Sequence, residues 1–254
     1  MALVAPVAMV DRTAHAPRGV ARSWQIFQAM RREQTDPQGT YTFLGHDVTT
    51  MLGEYAQLDG ATAVDIGGGP GYTAEALREA GAHAFTIDPF EEELSLHGRT
   101  PQGAVVGDGL RLPLADGSVD VVCTLNALEH VPTPWPFLDE LVRVVRPGGI
   151  VFVGVTNWLS PWGGHETSPW HWLGGRRALE RYDAKHPERA KNRFGESLHP
   201  VHVGEVLRWA EACPDVTLVD AFPRYYPSWT RPLVRVPGVR EVLTWNLAVV
   251  LRRR

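Results

Sequence analysis

Three carboxylates and a run of glycines are the first residues in this chain with the types and spacing to do chemistry. The run reads Val64-Asp65-Ile66-Gly67-Gly68-Gly69-Pro70-Gly71-Tyr72, with Asp65 just ahead of the glycines. Asp88 closes a second apolar run, and Asp108 lies between Gly107 and Gly109 after a third. Glycine turns where a Cβ would clash and lets a ligand approach the main chain closely. An ionised carboxylate accepts two hydrogen bonds at once, which suits the paired hydroxyls of a ribose. Asp88 follows Gly71 by nearly the ~20 residues that separate such an acid from its glycine turn. Asp108 falls where the exocyclic amine of an adenine could donate to it. The set reads as a cradle for a nucleoside-bearing cofactor.

These groups must be carried by strands that end at one rim of a sheet. From Ala61 the pattern alternates strand and helix. Ala61–Ile66, Ala84–Ile87, Gly103–Val106, Val119–Leu125 and Ile150–Val155 read as strands. Val119–Leu125 is apolar on both faces, as a buried parallel strand requires. Thr73–Ala80, the short Glu91–His97 and Pro134–Val145 read as helices between them, and Arg146-Pro147-Gly148-Gly149 stops the last. Val203–Cys213 is a further helix, followed by strands at Val216–Ala221 and Thr244–Leu251. Helical spacing at Ser23–Glu33 and His46–Tyr55 predicts lid helices over the glycine turn. In an open parallel sheet the ligand crevice lies at the carboxyl ends of the strands, which is where all three acids fall. The expected organisation is a flexible tail over 1–22 and one domain over 23–254. Within that domain, lid helices occupy 23–57, a cofactor-binding core 58–156, an inserted cap 157–202, and a C-terminal helix and strands 203–254.

The glycine spacing separates two cofactor classes. The nicotinamide fingerprint is G-x-G-x-x-G, whereas here the run is Gly67-x-Gly69-x-Gly71. This resembles the first motif of the class I S-adenosylmethionine-dependent methyltransferases. Gly107-Asp108-Gly109 with Leu112-Pro113-Leu114 resembles that family's third-strand turn. Asn126-Ala127-Leu128-Glu129-His130-Val131 resembles the loop after its fourth strand, and Arg146-Pro147-Gly148-Gly149 its turn before the fifth. The resemblance covers about residues 55–156 and, more loosely, the last two strands. It implies an α/β, Rossmann-like fold: a seven-stranded, mostly parallel sheet of order 3-2-1-4-5-7-6, last strand antiparallel, with helices on both faces. It also implies the roles of the site residues toward S-adenosyl-L-methionine. Asp65 and the backbone of Gly67, Gly68, Gly69 and Gly71 hold the methionine end. Asp88 binds the ribose, Asp108 and the backbone at Gly109 bind adenine, and Asn126 and Ala127 line the cleft beside the sulfonium.

The reaction implied is in-line attack on an activated methyl, for which the protein mainly aligns a nucleophile about 3 Å from the carbon. A hydroxyl nucleophile must also lose a proton, and histidine is the natural acceptor near neutral pH. His165, beside Glu166 in the segment after the fifth strand, is the first candidate base; His130, after the fourth strand, is the second. O-methylation of a small-molecule or glycan-like acceptor is therefore the expected reaction. The alternatives are an NAD-dependent oxidoreductase, which the glycine spacing disfavours, and a catalytically silent cofactor-binding partner protein. No metal site is expected: His199 and His202 have i, i+3 spacing, but Pro200 interrupts any helix there and no cysteine joins them.

Composition narrows the partners. The 254 residues carry a net charge of −4, which argues against nucleic acid. Two cysteines, Cys123 and Cys213, are too few for a disulfide framework. No apolar stretch reaches membrane-spanning length, and the N-terminus lacks the basic region of a signal peptide, so a cytoplasmic location is expected. Eight of the nine tryptophans follow residue 132, which suits a flat-walled acceptor pocket or a packed cap. The basic stretch Arg176, Arg177, Arg181, Lys185, Arg189, Lys191 and Arg193 reads as a solvated helix face, with contact to an acidic substrate or a membrane surface as the alternative.

Overall fold

Strands covered on both faces must send successive side chains into two separate cores, and the central strands here do so. The computed structural model describes residues 19–99 and 101–254. Its helices and strands are α1 (Val20–Arg32), α2 (Pro37–Leu52), β1 (Thr62–Ile66), α3 (Tyr72–Glu79), β2 (His83–Asp88), α4 (Glu91–Leu94), β3 (Val105–Val106) and β4 (Val119–Leu125). They continue through α5 (Pro134–Val144), β5 (Val145–Thr156), α6 (Gly175–Asp183), α7 (Val203–Ala212), β6 (Val216–Pro223), α8 (Val239–Leu243) and β7 (Asn246–Arg253). The strands form one sheet in the order β3-β2-β1-β4-β5-β7-β6. β1 to β5 pair in parallel, and β7 runs antiparallel to both of its neighbours. This is the expected seven-stranded topology.

Val64, Ile66, Val122, Val151, Val153, Val249 and Leu251 pack on one face with Leu138, Leu141 and Val142 of α5 and Val206 and Leu207 of α7. Their neighbours in sequence, Ala63, Val121, Cys123, Ile150, Phe152, Ala248 and Val250, pack on the other face with α2 and α3. α1 and α2 join a third cluster, in which Ile26 and Leu44 meet Tyr225. A bidentate pair ties α1 to α2: Arg22 Nε donates to Asp47 Oδ1 at 2.5 Å and Nη2 to Oδ2 at 2.7 Å. Arg22 Nη2 also donates to the carbonyl of Arg224 at 3.0 Å, which ties α1 to the segment just after β6.

Several boundaries differ from the sequence reading. α1 begins at Val20, and residues 1–18 of the expected tail lie outside the described residues. α2 starts at Pro37, well before His46, because Asp36 caps it by accepting from Gly39 N at 2.9 Å and Pro37 occupies its first turn. β3 shrinks to Val105–Val106, an exposed edge, while β5 reaches back to Val145 through the Arg-Pro-Gly-Gly turn. α6 ends at Asp183, short of Lys191, with Pro187 soon after. Among the described residues, no helix is long and apolar enough to cross a membrane.

Candidate active site

The glycine turn leaves β1 and enters α3 at the carboxyl rim of the sheet. Gly67 has φ of 70°, a left-handed conformation that side chains resist, and a Cβ there would stand 2.6 Å from the Cβ of Ala127. A Cβ on Gly68 would press into the Asp65 carboxylate and stand 2.5 Å from Thr86 Oγ1. The turn is thus closed against Thr86 of β2 on one side and against Ala127, just after β4, on the other. Gly71, with φ of 75°, is the residue from which α3 starts. Gly67→Ala is expected to destabilise the fold by about 1–3 kcal/mol and to weaken cofactor binding more than tenfold; thermal melts with and without S-adenosylmethionine check both.

Asp65 is buried at 1% exposure. Burial pushes its pKa up to about 7, against the pull of donated hydrogen bonds from Cys123 and Thr73. The Cys123 thiol donates to Asp65 Oδ1 at 3.5 Å, so this cysteine is more than core filling. Asp88 closes β2 and is held by two main-chain donors, Gly69 N to Oδ2 at 3.1 Å and Phe90 N to Oδ1 at 3.0 Å. Burial raises its pKa as well. One carboxylate therefore shapes the glycine turn and keeps lone pairs for a ligand. Asp108 is exposed and its Oδ1 accepts from Leu110 N at 2.9 Å, while Gly109 is buried with the Phe137 ring where its Cβ would be. Asn126 follows β4 with φ of 55°. Its Oδ1 accepts from Asn246 Nδ2 at 2.8 Å, and its Nδ2 donates to the Tyr225 hydroxyl at 3.4 Å. Ala127 is the neighbour that seals Gly67.

The two candidate bases meet. The rings of His130 and His165 lie edge to face, 5.4 Å between centroids. Glu129 joins them, and one ligand atom from each of the three lies within 4.8 Å of the others. Glu129 is 1% exposed, and its Oε1 accepts from Thr156 N at the end of β5, 3.1 Å away. Glu129 Oε2 and His165 Nε2 are buried and have no hydrogen-bond partner. His130 Nδ1 meets the Ser197 carbonyl at 2.6 Å. Burial lowers the pKa of His165, against the raising field of Glu129, and so favours a neutral ring at pH 7.

Of the remaining histidines, His199 also lies beside this cluster: its main-chain N–H donates to the Glu129 carbonyl at 2.7 Å, and its Nε2 is buried without a partner. His171 is buried, hydrogen-bonds the Ser160 carbonyl through Nε2 at 3.1 Å and packs on Trp158. His202 caps α7. Part of the basic stretch is paired within the chain: Arg181 stacks on Trp170 at 3.9 Å, Lys191 reaches Glu93 at 3.1 Å and Arg193 binds Asp183. The sequence reading gives no role to Glu129, although its place beside His130 at a strand end is a usable signal. It also passes over Arg224, which is 2% exposed with Nε and Nη1 unpartnered and carries no signal beyond being a lone arginine after an apolar strand. Its guanidinium lies 5.2 Å from the centre of the Tyr225 ring, and Tyr225 packs on Trp245, which stacks on Trp162 at 4.1 Å.

Comparison with known proteins bears on this geometry. A family profile described as "Methyltransferase domain" matches residues 64–153, from β1 into β5. An uncharacterized methyltransferase of Mycolicibacterium gilvum is 43% identical over 245 residues, which cover 92% of this chain and 94% of that protein. One from Mycobacterium marinum is 40% identical over 258 residues, 98% of this chain and 100% of that protein. Among solved structures, an S-adenosylmethionine-dependent methyltransferase from Mesorhizobium loti shares the fold with a TM-score of 0.57 at 19% identity, covering 82% of this chain and 98% of its own.

Proposed function

This chain belongs to the class I S-adenosylmethionine-dependent methyltransferases, and we propose that it methylates a hydroxyl of a small-molecule or glycan-like acceptor. The site residues fit the cofactor on structural grounds. The glycine turn leaves a cradle that a Cβ would disrupt, and Asp88 stands at its edge with acceptor capacity to spare. In this reading Asp65 and the main chain of Gly67, Gly68, Gly69 and Gly71 hold the methionine end and Asp88 the ribose. Asp108 and Gly109 hold adenine, and Asn126 and Ala127 flank the sulfonium. S-adenosylmethionine, when bound, supplies a methyl group already activated by its positive sulfur.

The remaining work falls to side chains at the ends of β4 and β5. His165, with His130 and Glu129 beside it, is placed against the acceptor hydroxyl, whose O–H bond must weaken as the methyl arrives. The observation that carries this is the buried, unpartnered Nε2 of His165 facing a group of like function at the carboxyl rim of the sheet. Tyr225, Trp245 and Trp162 form a nearby aromatic wall suited to a ring-bearing acceptor. A cytoplasmic location accords with the two free cysteines. The test is His165→Ala, with release of S-adenosylhomocysteine followed over panels of hydroxyl and amine acceptors. Turnover of the hydroxyl acceptor is expected to fall by about 10²- to 10⁴-fold with cofactor affinity unchanged. Unaltered turnover, or activity confined to amines, would overturn the assignment.

A further inference from the structure

Glu129, His130 and His165 are brought together in a way that proton transfer alone does not require: Glu129 and His130 each have one polar atom fixed by the main chain, and Glu129 and His165 each bury a polar atom without a partner. Glu129 spends Oε1 on the Thr156 N–H and leaves Oε2 buried without a partner. A buried carboxylate oxygen with nothing to accept from is costly, the more so when charged. The Nδ1 of His130 is placed to donate to the Ser197 carbonyl, an arrangement that leaves Nε2 with its lone pair bare. Metal-bound histidines are oriented by this kind of outer hydrogen bond. His165 Nε2 is likewise buried and unpartnered. Ligand atoms from all three lie within 4.8 Å of one another.

We infer that these three side chains form a binding site for a divalent transition-metal cation of the zinc class. Two imidazoles and one carboxylate are a donor set that suits zinc or iron(II) better than magnesium or calcium, which prefer oxygen alone. Three protein ligands leave a fourth position open, as in catalytic zinc sites. Bonds of about 2.0–2.2 Å place tetrahedral ligands about 3.3 Å apart, so rotations of the side chains by roughly an ångström close the set. The ligands come from two loops, after β4 and after β5, and Glu129 is anchored to the rim of β5 itself. The open position therefore faces the crevice. This inference rests on the methyltransferase reading and deepens it by giving His165 the part of a ligand in place of a base: a cation held there would polarise the acceptor oxygen and so weaken its O–H bond. The acceptor oxygen gives its proton to solvent and a lone pair to the methyl carbon, and the carbon–sulfur bonding pair stays with sulfur. No oxidant or reductant enters.

The test uses the full chain stripped with chelator and dialysed. Zinc chloride is titrated by calorimetry, and cobalt(II) is titrated with its visible absorption followed. One equivalent is expected to bind in the micromolar range or tighter, with cobalt bands of a four- or five-coordinate site. Glu129→Gln keeps an acceptor for Thr156 N and the shape of the side chain, yet is expected to weaken binding at least tenfold, as is His165→Ala. His186→Ala, whose ring only stacks on Tyr182 at the surface, is expected to bind as the wild type does. No binding, or binding equally strong in Glu129→Gln and His165→Ala, overturns the metal site. S-adenosylmethionine is titrated in parallel into chelator-treated protein. Cofactor binding without metal binding removes only this inference, whereas loss of cofactor binding to folded wild-type protein removes the reading beneath it.

Discussion

Asp88→Ala is expected to weaken S-adenosylmethionine binding by about 100- to 1000-fold. A hydrogen bond to a charged group contributes about 1.5–3 kcal/mol, and in the proposed site the carboxylate accepts two from a ribose diol. Losing about 3–4 kcal/mol corresponds to that factor, because each 1.4 kcal/mol is tenfold. The change also strips the Gly69 and Phe90 N–H groups of their acceptor, so the glycine turn loses a brace at the same time. Asp88→Asn keeps one acceptor oxygen and is expected to fall between the two. Calorimetric titration of the three proteins settles the order. An alanine variant within threefold of wild type would show that the ribose is held elsewhere.

Asp65→Asn is expected to do two opposite things: stabilise the free protein at pH 8 and abolish most of its cofactor affinity. The native carboxyl titrates at about 7 against an ordinary value of 3.8, with burial as the cause. A folded pKa raised above the unfolded one means that the native state keeps a proton the unfolded state has released. The stability linked to that proton is fully present below about pH 4, shrinks as pH rises toward 7, and is absent above it. A tenfold change in proton affinity corresponds to about 1.36 kcal/mol, so the wild type is handicapped at pH 8 by no more than a few kcal/mol, from which the uncharged amide is free. Urea melts at pH 5 and pH 8 should show the gap between variant and wild type opening with pH.

In the proposed cofactor site the same proton is expected to control binding. A cationic ligand draws Asp65 into its ionised form, so association below pH 7 expels a proton, and affinity climbs by up to about tenfold for each pH increment of one until near pH 7. The asparagine variant is expected to bind at least about 100-fold more weakly and with no such slope. Parallel pH profiles for the two proteins would remove Asp65 from the cofactor site. If Asp65 holds the cofactor as proposed, burial that resists its ionisation in the free protein couples stability to occupancy.

The cofactor half of the site is legible because its elements are local in sequence. A strand, a glycine turn and a helix within Thr62–Glu79 make their geometry from consecutive residues, and Asp65, Asp88 and Asp108 mark successive strand ends. Sheet order follows from the family resemblance, and the alternation seen in β1, β4, β5 and β7 follows from a strand period of two. The start of α2 is hidden because Asp36 and Pro37 lie in a stretch whose apolar spacing is weak, so the cap and not the periodicity sets the boundary. β5 is longer than its apolar run because Arg-Pro-Gly-Gly stops the helix without ending the strand pairing: Val145 pairs with Val119 ahead of it.

The proposed acceptor half depends on residues far apart in the chain. His165 and His130 are each visible as titratable groups near a strand end, but their edge-to-face approach, and Glu129 with its spare oxygen, appear only when two loops fold over the ends of β4 and β5. His199 and His202 offer closer spacing in the sequence, yet the fold uses His202 to cap a helix. Arg224 gives no warning at all, because its burial depends on α1, β5 and Tyr225 meeting around it. Short-range backbone rules, written in glycines and alternating apolar residues, determined the cofactor cradle and the sheet. Long-range packing, which alone decides which side chains lose water together, determined the Glu129, His130 and His165 cluster in which the acceptor chemistry is proposed.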